Sequence, residues 1–195
     1  MFLNKSPGRK RFKASLGNAN HLIITSLVGL DAIERGLVDD IPSEMRMAWL
    51  PKSQKTSARR ARRLVLDMAL IRTVDAIDVY LCDAMRQPTL IQDEQVRSQI
   101  DRAGRSIFKK IVELELAFPG LDTLLCAMVA LLVSWRNGSA HVEANDILSA
   151  QHRAVITTNH NKVTSRFSGL DTDVLLSNYD LENPPAFKEI ASLIN

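Results

Sequence analysis

The segment from Arg136 to His141 holds the side chains whose types and spacing best fit chemistry on a phosphate. Histidine titrates near neutral pH, so it can act as a general base or a general acid. Arginine offers a permanently charged, forked set of donors that matches phosphate oxygens. Asn137 could hold the histidine ring or a phosphate oxygen in place. These three side chains would therefore suit proton transfer and charge neutralisation at a phosphodiester.

The geometry of this segment depends on where its helices end. In an unbroken helix five positions turn the chain by about 500°, so Arg136 and His141 would point in different directions. Asn137-Gly138 is typical of a helix end, and Ser139 is a good cap for a following helix. The sequence therefore predicts a helix–helix corner at which the two side chains converge. His141 would then lie in the first turn of the second helix, where the dipole favours anions.

An arginine followed by a polar residue and, a few positions later, by a histidine resembles the motif of the HEPN family, and the matching positions are Arg136, Asn137 and His141. The resemblance covers about residues 58–157 and implies a helical bundle that pairs as a homodimer. It further implies a composite catalytic site at the interface, as in the many members that are metal-independent endoribonucleases of toxin, phage-defence and RNA-processing systems. RNA would be the substrate, and a cognate antitoxin or regulatory protein is a possible partner. Glu143 stands where the nucleotidyltransferase-paired subgroup often carries tyrosine, which argues against that subgroup.

Other interpretations of the same residues stay open from the sequence. Arg136 could pair with an acid and His141 could cap a buried turn, since most lone histidines are structural. A HEPN-like module without catalysis could dimerise and bind RNA or a protein partner. Asp75 and Asp78, on the second long helix, could orient the histidine or pair with Arg136, or could simply lie on the surface.

The elements that would position these residues follow from the spacing of apolar side chains. Steps of three and four from Leu66 to Met85 and from Val96 to Leu114 are typical of one buried helical face. The stretch 121–135 is apolar nearly all round, which predicts a helix central in a bundle or buried in an oligomer interface. The predicted helices span residues 18–37, 43–50, 58–86, 93–117, 121–135, 140–157, 171–179 and 185–194. With no alternating strand pattern, the chain is predicted to be all-α, a bundle of four to five core helices with extra N- and C-terminal helices.

Positive charge is concentrated in the first third of the chain. Residues 1–63 hold 13 Lys/Arg and 5 Asp/Glu, a net charge of +8, which suggests a polyanionic partner. Residues 1–17 are predicted to be a basic flexible arm that precedes a single helical domain over 18–195. Cations in the first turn of a helix oppose its dipole, which slightly destabilises the helix. Phosphate binding would explain why the cations are there, and a solvated basic surface is the alternative. The predicted RNA-binding residues are Lys52, Lys55, Arg59, Arg60, Arg62 and Arg63.

The composition argues against several other classes of protein. Cys82 and Cys126 lie in apolar, helix-like stretches, which predicts reduced thiols rather than a disulfide framework. His141 and His152 would lie about 16 Å apart on one helix, so no metal or other cofactor is predicted. The phosphate-binding glycine loop of P-loop enzymes is missing. No signal peptide and no apolar run long enough to span a bilayer are seen, so a cytoplasmic protein without membrane contact is expected.

Overall fold

The computed structural model describes residues 6–38, 52–86, 91–140, 148–177 and 185–194. Within these ranges the chain forms nine α-helices and no β-strand, which confirms the all-α prediction. None of the described helices is both long and apolar enough to cross a membrane. The helices are α1 (Pro7–Glu34), α2 (Gln54–Arg86), α3 (Glu94–Arg102), α4 (Ile107–Ala117), α5 (Thr123–Ala140), α6 (Ala150–Thr158), α7 (His160–Arg166), α8 (Thr172–Ser177) and α9 (Phe187–Ile194).

The two longest helices, α1 and α2, form an antiparallel hairpin with extensive contact between them. Gly8, at the start of α1, lies against Asp83 near the end of α2. At the other end of the hairpin, Glu34 accepts a hydrogen bond from Arg59 near the start of α2. A Cβ added at Gly8 would lie only 3.3 Å from Cβ of Asp83, so the missing side chain permits this close approach. The hairpin thus forms the longest pair of helices in the bundle.

Helix α5 lies at the centre of the bundle and packs against α2, α4 and α6. Its inner side is buried at Leu124, Met128, Leu131 and Val133, each at most 3% exposed. An apolar helix in this setting buries its surface against several neighbours at once, which accounts for hydrophobic residues on most of its sides. Of the two predicted settings for this helix, the bundle centre is confirmed.

The predicted buried faces of the flanking helices are also confirmed. On α2, Leu66, Leu70 and Val74 are at most 6% exposed, and Leu70 and Val74 belong to the main core around α5. A second cluster joins α1, α2 and α9, where Ile23 of α1 and Ile190 of α9 are fully buried. The C-terminal helix α9 therefore packs against both helices of the hairpin, on the side of α2 that does not face α5.

Several predicted boundaries differ from the observed ones. Helix α1 begins at Pro7, because the Ser6 side chain accepts a hydrogen bond from the backbone N–H of Arg9. Residues 7–17, predicted as a flexible arm, are therefore helical. The helix predicted over 93–117 is divided into α3 and α4, because Gly104 takes a left-handed φ of +58° and Ser106 caps α4.

The C-terminal part of the chain shows further differences. Helix α7 occupies a stretch predicted to be loop-like, residues 158–169. The helix predicted over 140–157 is observed only from Ala150, as α6, and residues 141–147 are outside the described ranges. Helices α8 and α9 confirm the two short helices predicted near the end of the chain. The predicted turn over 43–50 also falls outside the described residues.

Candidate active site

Helix α5 continues through the Asn137-Gly138 pair to Ala140, so the predicted break at that pair is wrong. Gly138 keeps helical geometry and does not adopt the positive φ of a helix end. The Ser139 hydroxyl donates to the backbone carbonyl of Trp135, 3.0 Å away, instead of capping a new helix. Trp135 is only 3% exposed and anchors this last turn in the core. The helix–helix corner predicted at Asn137-Gly138 is therefore not formed there.

The structure places Arg136 and Asn137 next to each other in the last turns of α5. Asn137 is 8% exposed and Arg136 is half-buried. Consecutive helical residues point about 100° apart, so the two side chains leave the helix on different sides. Arg136 precedes the end of the helix at Ala140 by about one turn, or roughly 6 Å along the axis. His141 follows Ala140 directly in the sequence but lies outside the described residues, so its placement stays a prediction.

The guanidinium of Arg136 has unsatisfied hydrogen-bonding capacity. Its Nε atom is buried and finds no acceptor among the described residues, and the indole Nε1 of the neighbouring Trp135 is in the same situation. No carboxylate in the described ranges forms an ion pair with Arg136; Asp78, a possible partner from the sequence, instead accepts a hydrogen bond of 2.6 Å from Lys110. A buried donor without an acceptor costs roughly 1–3 kcal/mol. The end of α5 therefore has donors suited to an acceptor that the described residues do not supply.

The arginine-rich start of α2 has the opposite character, because several of its cations are already paired. Nε of Arg59 donates to Glu34 at 2.8 Å, and Arg62 lies 3.6 Å from Glu34 and 3.8 Å from Asp31. The hydrogen bond from Arg59 holds the pKa of the Glu34 carboxyl below its ordinary value of 4.5. Because the hairpin is antiparallel, these cations also lie beside the C-terminal end of α1, where the helix dipole favours positive charge. The cluster therefore has a role within the fold that the sequence analysis did not consider beside phosphate binding and a solvated basic surface.

The remaining predicted RNA-binding residues divide into two groups. The Arg63 side chain is already bonded within the fold. Its Nε donates to Asp67 at 3.1 Å and its Nη1 donates to the carbonyl of Pro185 at 3.2 Å. The other three have exposed side chains that form no ion pair or hydrogen bond with the described residues: Lys52, Lys55 and Arg60. These three are the members of the predicted set that are available to a polyanion.

A buried histidine on α6 was not singled out by the sequence. His152 is 3% exposed, and its Nε2 atom lies 3.0 Å from Oε2 of Glu115 on α4. Its ring packs edge-on against Phe108, with 5.7 Å between the ring centroids. These contacts join α6 to α4 through the core, so they give His152 a role in holding the two helices together. The pairing joins residues 37 positions apart, which no local sequence pattern could show.

The two cysteines and the acidic side chains are the other groups of the described residues that could take part in chemistry. Both Cys82 and Cys126 are free thiols and half-buried. Burial, followed by the nearby charges of Glu115 and Asp122, raises the pKa of Cys126 to about 11, so this thiol is protonated at neutral pH and is a poor nucleophile. Within the described ranges no group of three or more His, Cys, Asp or Glu side chains could hold a metal ion.

Comparison with known proteins gives no relative for this chain. No family model matches it, and neither the search of curated proteins nor the search of solved structures finds a match. The resemblance to the HEPN family therefore rests on the Arg136–His141 motif and on its setting at the end of an apolar helix in an all-α bundle.

Proposed function

We propose that this chain is a metal-independent endoribonuclease of the HEPN type, with a site built from Arg136, Asn137 and His141 of two copies. The observation that supports this most is the state of Arg136. It lies half-buried near the end of α5, without a carboxylate partner among the described residues and with a buried Nε that lacks an acceptor there. A phosphodiester oxygen that met the accessible part of this guanidinium would supply an acceptor and bring the scissile phosphate next to the residue that follows the helix.

The proposed reaction uses the nucleophile that RNA carries. The 2′-oxygen attacks phosphorus as its proton passes to one His141 imidazole, and the bond to the 5′-oxygen breaks as the second copy's imidazolium protonates that leaving group. The products are a 2′,3′-cyclic phosphate and a 5′-hydroxyl. Arg136 neutralises charge on the non-bridging oxygens, and Asn137 orients the ring or the phosphate. Each proton transfer of this kind typically contributes about 10² to 10⁴ in rate.

The second copy would meet only the outer side of α5, because most of this helix is buried inside its own bundle. Leu125 is 52% exposed, and Val129 and Arg136 are half-buried. These three residues are four and seven positions apart, so they share one side of the helix. We define them as the outer face of α5 and propose it as the pairing surface that brings two motifs together. A role as a toxin or phage-defence effector, in the cytoplasm and under the control of an antitoxin or regulator, belongs to the same proposal.

One observation favours a second candidate, a non-catalytic module that dimerises and binds RNA or a protein. Helix α5 does not break at Asn137-Gly138, so the corner expected to join Arg136 and His141 is not at the predicted place. A module of this kind would need the charge of Arg136 but no histidine chemistry. The two candidates therefore differ in what happens when His141 is removed.

The test is cleavage of a structured RNA in EDTA by the wild type and by His141→Ala. We expect the wild type to leave 2′,3′-cyclic phosphate ends and the variant to cut at least about 100-fold more slowly. His21→Ala is the matched control, since His21 is exposed on α1 and should leave the rate unchanged. Equal rates for wild type and His141→Ala would rule out the proposed site. RNA binding without cleavage by the wild type would favour the module.

A further inference from the structure

A small groove lies between α1 and α2 at the end of the hairpin where α1 begins. Its volume is about 190 Å³, and it is lined by side chains from the first turns of α1 and the second half of α2. Pockets for drug-sized ligands usually start at roughly 300 Å³, so this groove suits a fragment such as one planar base.

The first wall of the groove is a fixed guanidinium. Arg11 donates from Nε at 3.1 Å and from Nη2 at 2.8 Å to the same oxygen, Oδ2 of Asp83. The Asp83 side chain is only 13% exposed, whereas the Arg11 side chain is 60% exposed. The carboxylate therefore restrains the planar group while leaving much of it accessible. Guanidinium planes held in this way are surfaces on which nucleic-acid bases stack.

The second wall is apolar. The rings of Phe12 and Tyr80 pack together with 5.1 Å between centroids and 32° between their planes, and both residues line the groove. Beside them, Val79 is 57% exposed although it is a large apolar residue. A planar ring bound in the groove would cover this apolar surface, removing it from water, and would stack on the Arg11 guanidinium.

The polar edge of the groove consists of Arg72 and Asp75, both exposed on α2. They are three positions apart and so lie on neighbouring parts of the helix surface, yet neither forms an ion pair with the other or with another described residue. A carboxylate only accepts hydrogen bonds, and an arginine only donates them. The groove thus offers an acceptor pair and a donor fork side by side.

We propose that this groove binds a single guanine base. Guanine presents donors at N1 and N2 next to acceptors at O6 and N7, which matches the carboxylate of Asp75 followed by the guanidinium of Arg72. In the same pose adenine would place its N1 acceptor against Asp75 and its N6 donors against Arg72, so donors would face the donor and an acceptor the acceptor. The base stacks on Arg11 and lies against Val79 and Tyr80. That the base comes from RNA rests on the proposed function, whereas the recognition of guanine does not.

The test is calorimetric titration of the full chain carrying His141→Ala, which prevents cleavage during the measurement. The ligands are GMP, AMP, a single-stranded oligoadenylate, and the same oligonucleotide with one guanine. We expect GMP to bind at least about tenfold more tightly than AMP, and Asp75→Asn to remove most of that preference. Asp101→Asn, an exposed acid on α3 that does not line the groove, is the matched control and should leave both affinities unchanged.

The outcomes separate this inference from the proposed ribonuclease. Equal affinity for GMP and AMP, or a guanine preference that survives Asp75→Asn, would overturn the guanine site. Tight binding of GMP and of the guanine-containing oligonucleotide supports a base taken from RNA. Tight binding of GMP alone supports the same site with a free nucleotide as its ligand. None of these results depends on whether the wild type cuts RNA, because the measured chain lacks His141.

Discussion

The start of α2 and the end of α5 both carry arginine, but the two regions differ in whether a carboxylate lies within reach of its guanidinium. At the start of α2, Arg59 and Arg63 have carboxylates within hydrogen-bond distance. At the end of α5, Arg136 has no carboxylate partner among the described residues, and its Nε lacks an acceptor there. A dense cationic cluster in a sequence can thus be partly neutralised by its own fold, whereas an arginine that stands alone in the sequence can lack any described acid partner.

The largest effect expected from this contrast is that of Arg136→Ala on RNA cleavage. Loss of a charged donor aimed at the phosphate should lower kcat/KM by about 10² to 10³. The free energy of unfolding should not fall by more than about 1 kcal/mol, since the side chain has no described ion partner to lose and the variant removes an unsatisfied buried donor. The measurement is initial cleavage rates together with urea unfolding. A large loss of stability with an unchanged rate would reverse the roles assigned to the two regions.

Arg63→Ala should show the reverse pattern. Arg63 bonds both Asp67 and the carbonyl of Pro185, so it joins α2 to the residues that lead into α9. Because its side chain is 31% exposed, solvent screening limits the ion-pair part, and we expect unfolding to become easier by about 1 kcal/mol. Cleavage rate and RNA affinity at low salt should stay within about twofold of wild type. A tenfold loss of RNA affinity without loss of stability would contradict the structural role.

Arg60→Ala should affect affinity alone. Arg60 is exposed and forms no ion pair with described residues, so it is free to contact a phosphate. The variant should weaken RNA binding by a few-fold and lower the salt dependence of log Kd by about one phosphate contact. Fluorescence anisotropy over a range of salt concentrations measures both. An unchanged salt slope would show that this end of the hairpin does not meet RNA.

The smallest effect concerns acid stability. Because the pKa of Glu34 is lowered in the folded chain, its pairing with Arg59 stabilises the fold above the unfolded value near 4.5. This contribution is lost as the pH falls through the lower, folded value. Glu34→Gln should therefore lose less stability than wild type between about pH 5 and pH 3. Parallel slopes in urea unfolding over that range would show that the carboxylate is not paired in solution.

The fold was largely predictable because it depends on local periodicity. The apolar steps along α2, such as Leu66, Leu70 and Val74, appear in the structure as buried positions. The helix ends were less predictable. Gly104 lies between two helices and Gly138 lies inside one, whereas the sequence predicted a break at Gly138 and a continuous helix across Gly104. Around Gly138 the Trp135 side chain is buried and the Ser139 hydroxyl donates to the Trp135 carbonyl, contacts that accompany the continued helix and that a local stop signal does not report.

In the candidate site, too, local features were predictable from the sequence and contacts between distant segments were not. Residue types and spacing predicted that Arg136 binds a phosphate, which stays a prediction, and the structure leaves this side chain without a described acid partner. The pairing of Arg59 with Glu34 spans 25 residues and follows from the antiparallel hairpin, which no spacing rule in the sequence could provide. The groove that contains Arg11 and Asp83 spans 72 residues for the same reason. Contacts between distant segments were thus the part that sequence reasoning missed.

The most direct test of a composite site at the end of α5 is the cleavage rate of mixtures of wild type and His141→Ala. The total protein concentration is fixed, EDTA is present, and the copies are allowed to exchange before RNA is added. If one site needs a histidine from each of two copies, the rate falls with the square of the wild-type fraction, so an equal mixture keeps about a quarter of the activity. A linear fall, with half of the activity retained in the equal mixture, would contradict the composite site and assign catalysis to single copies.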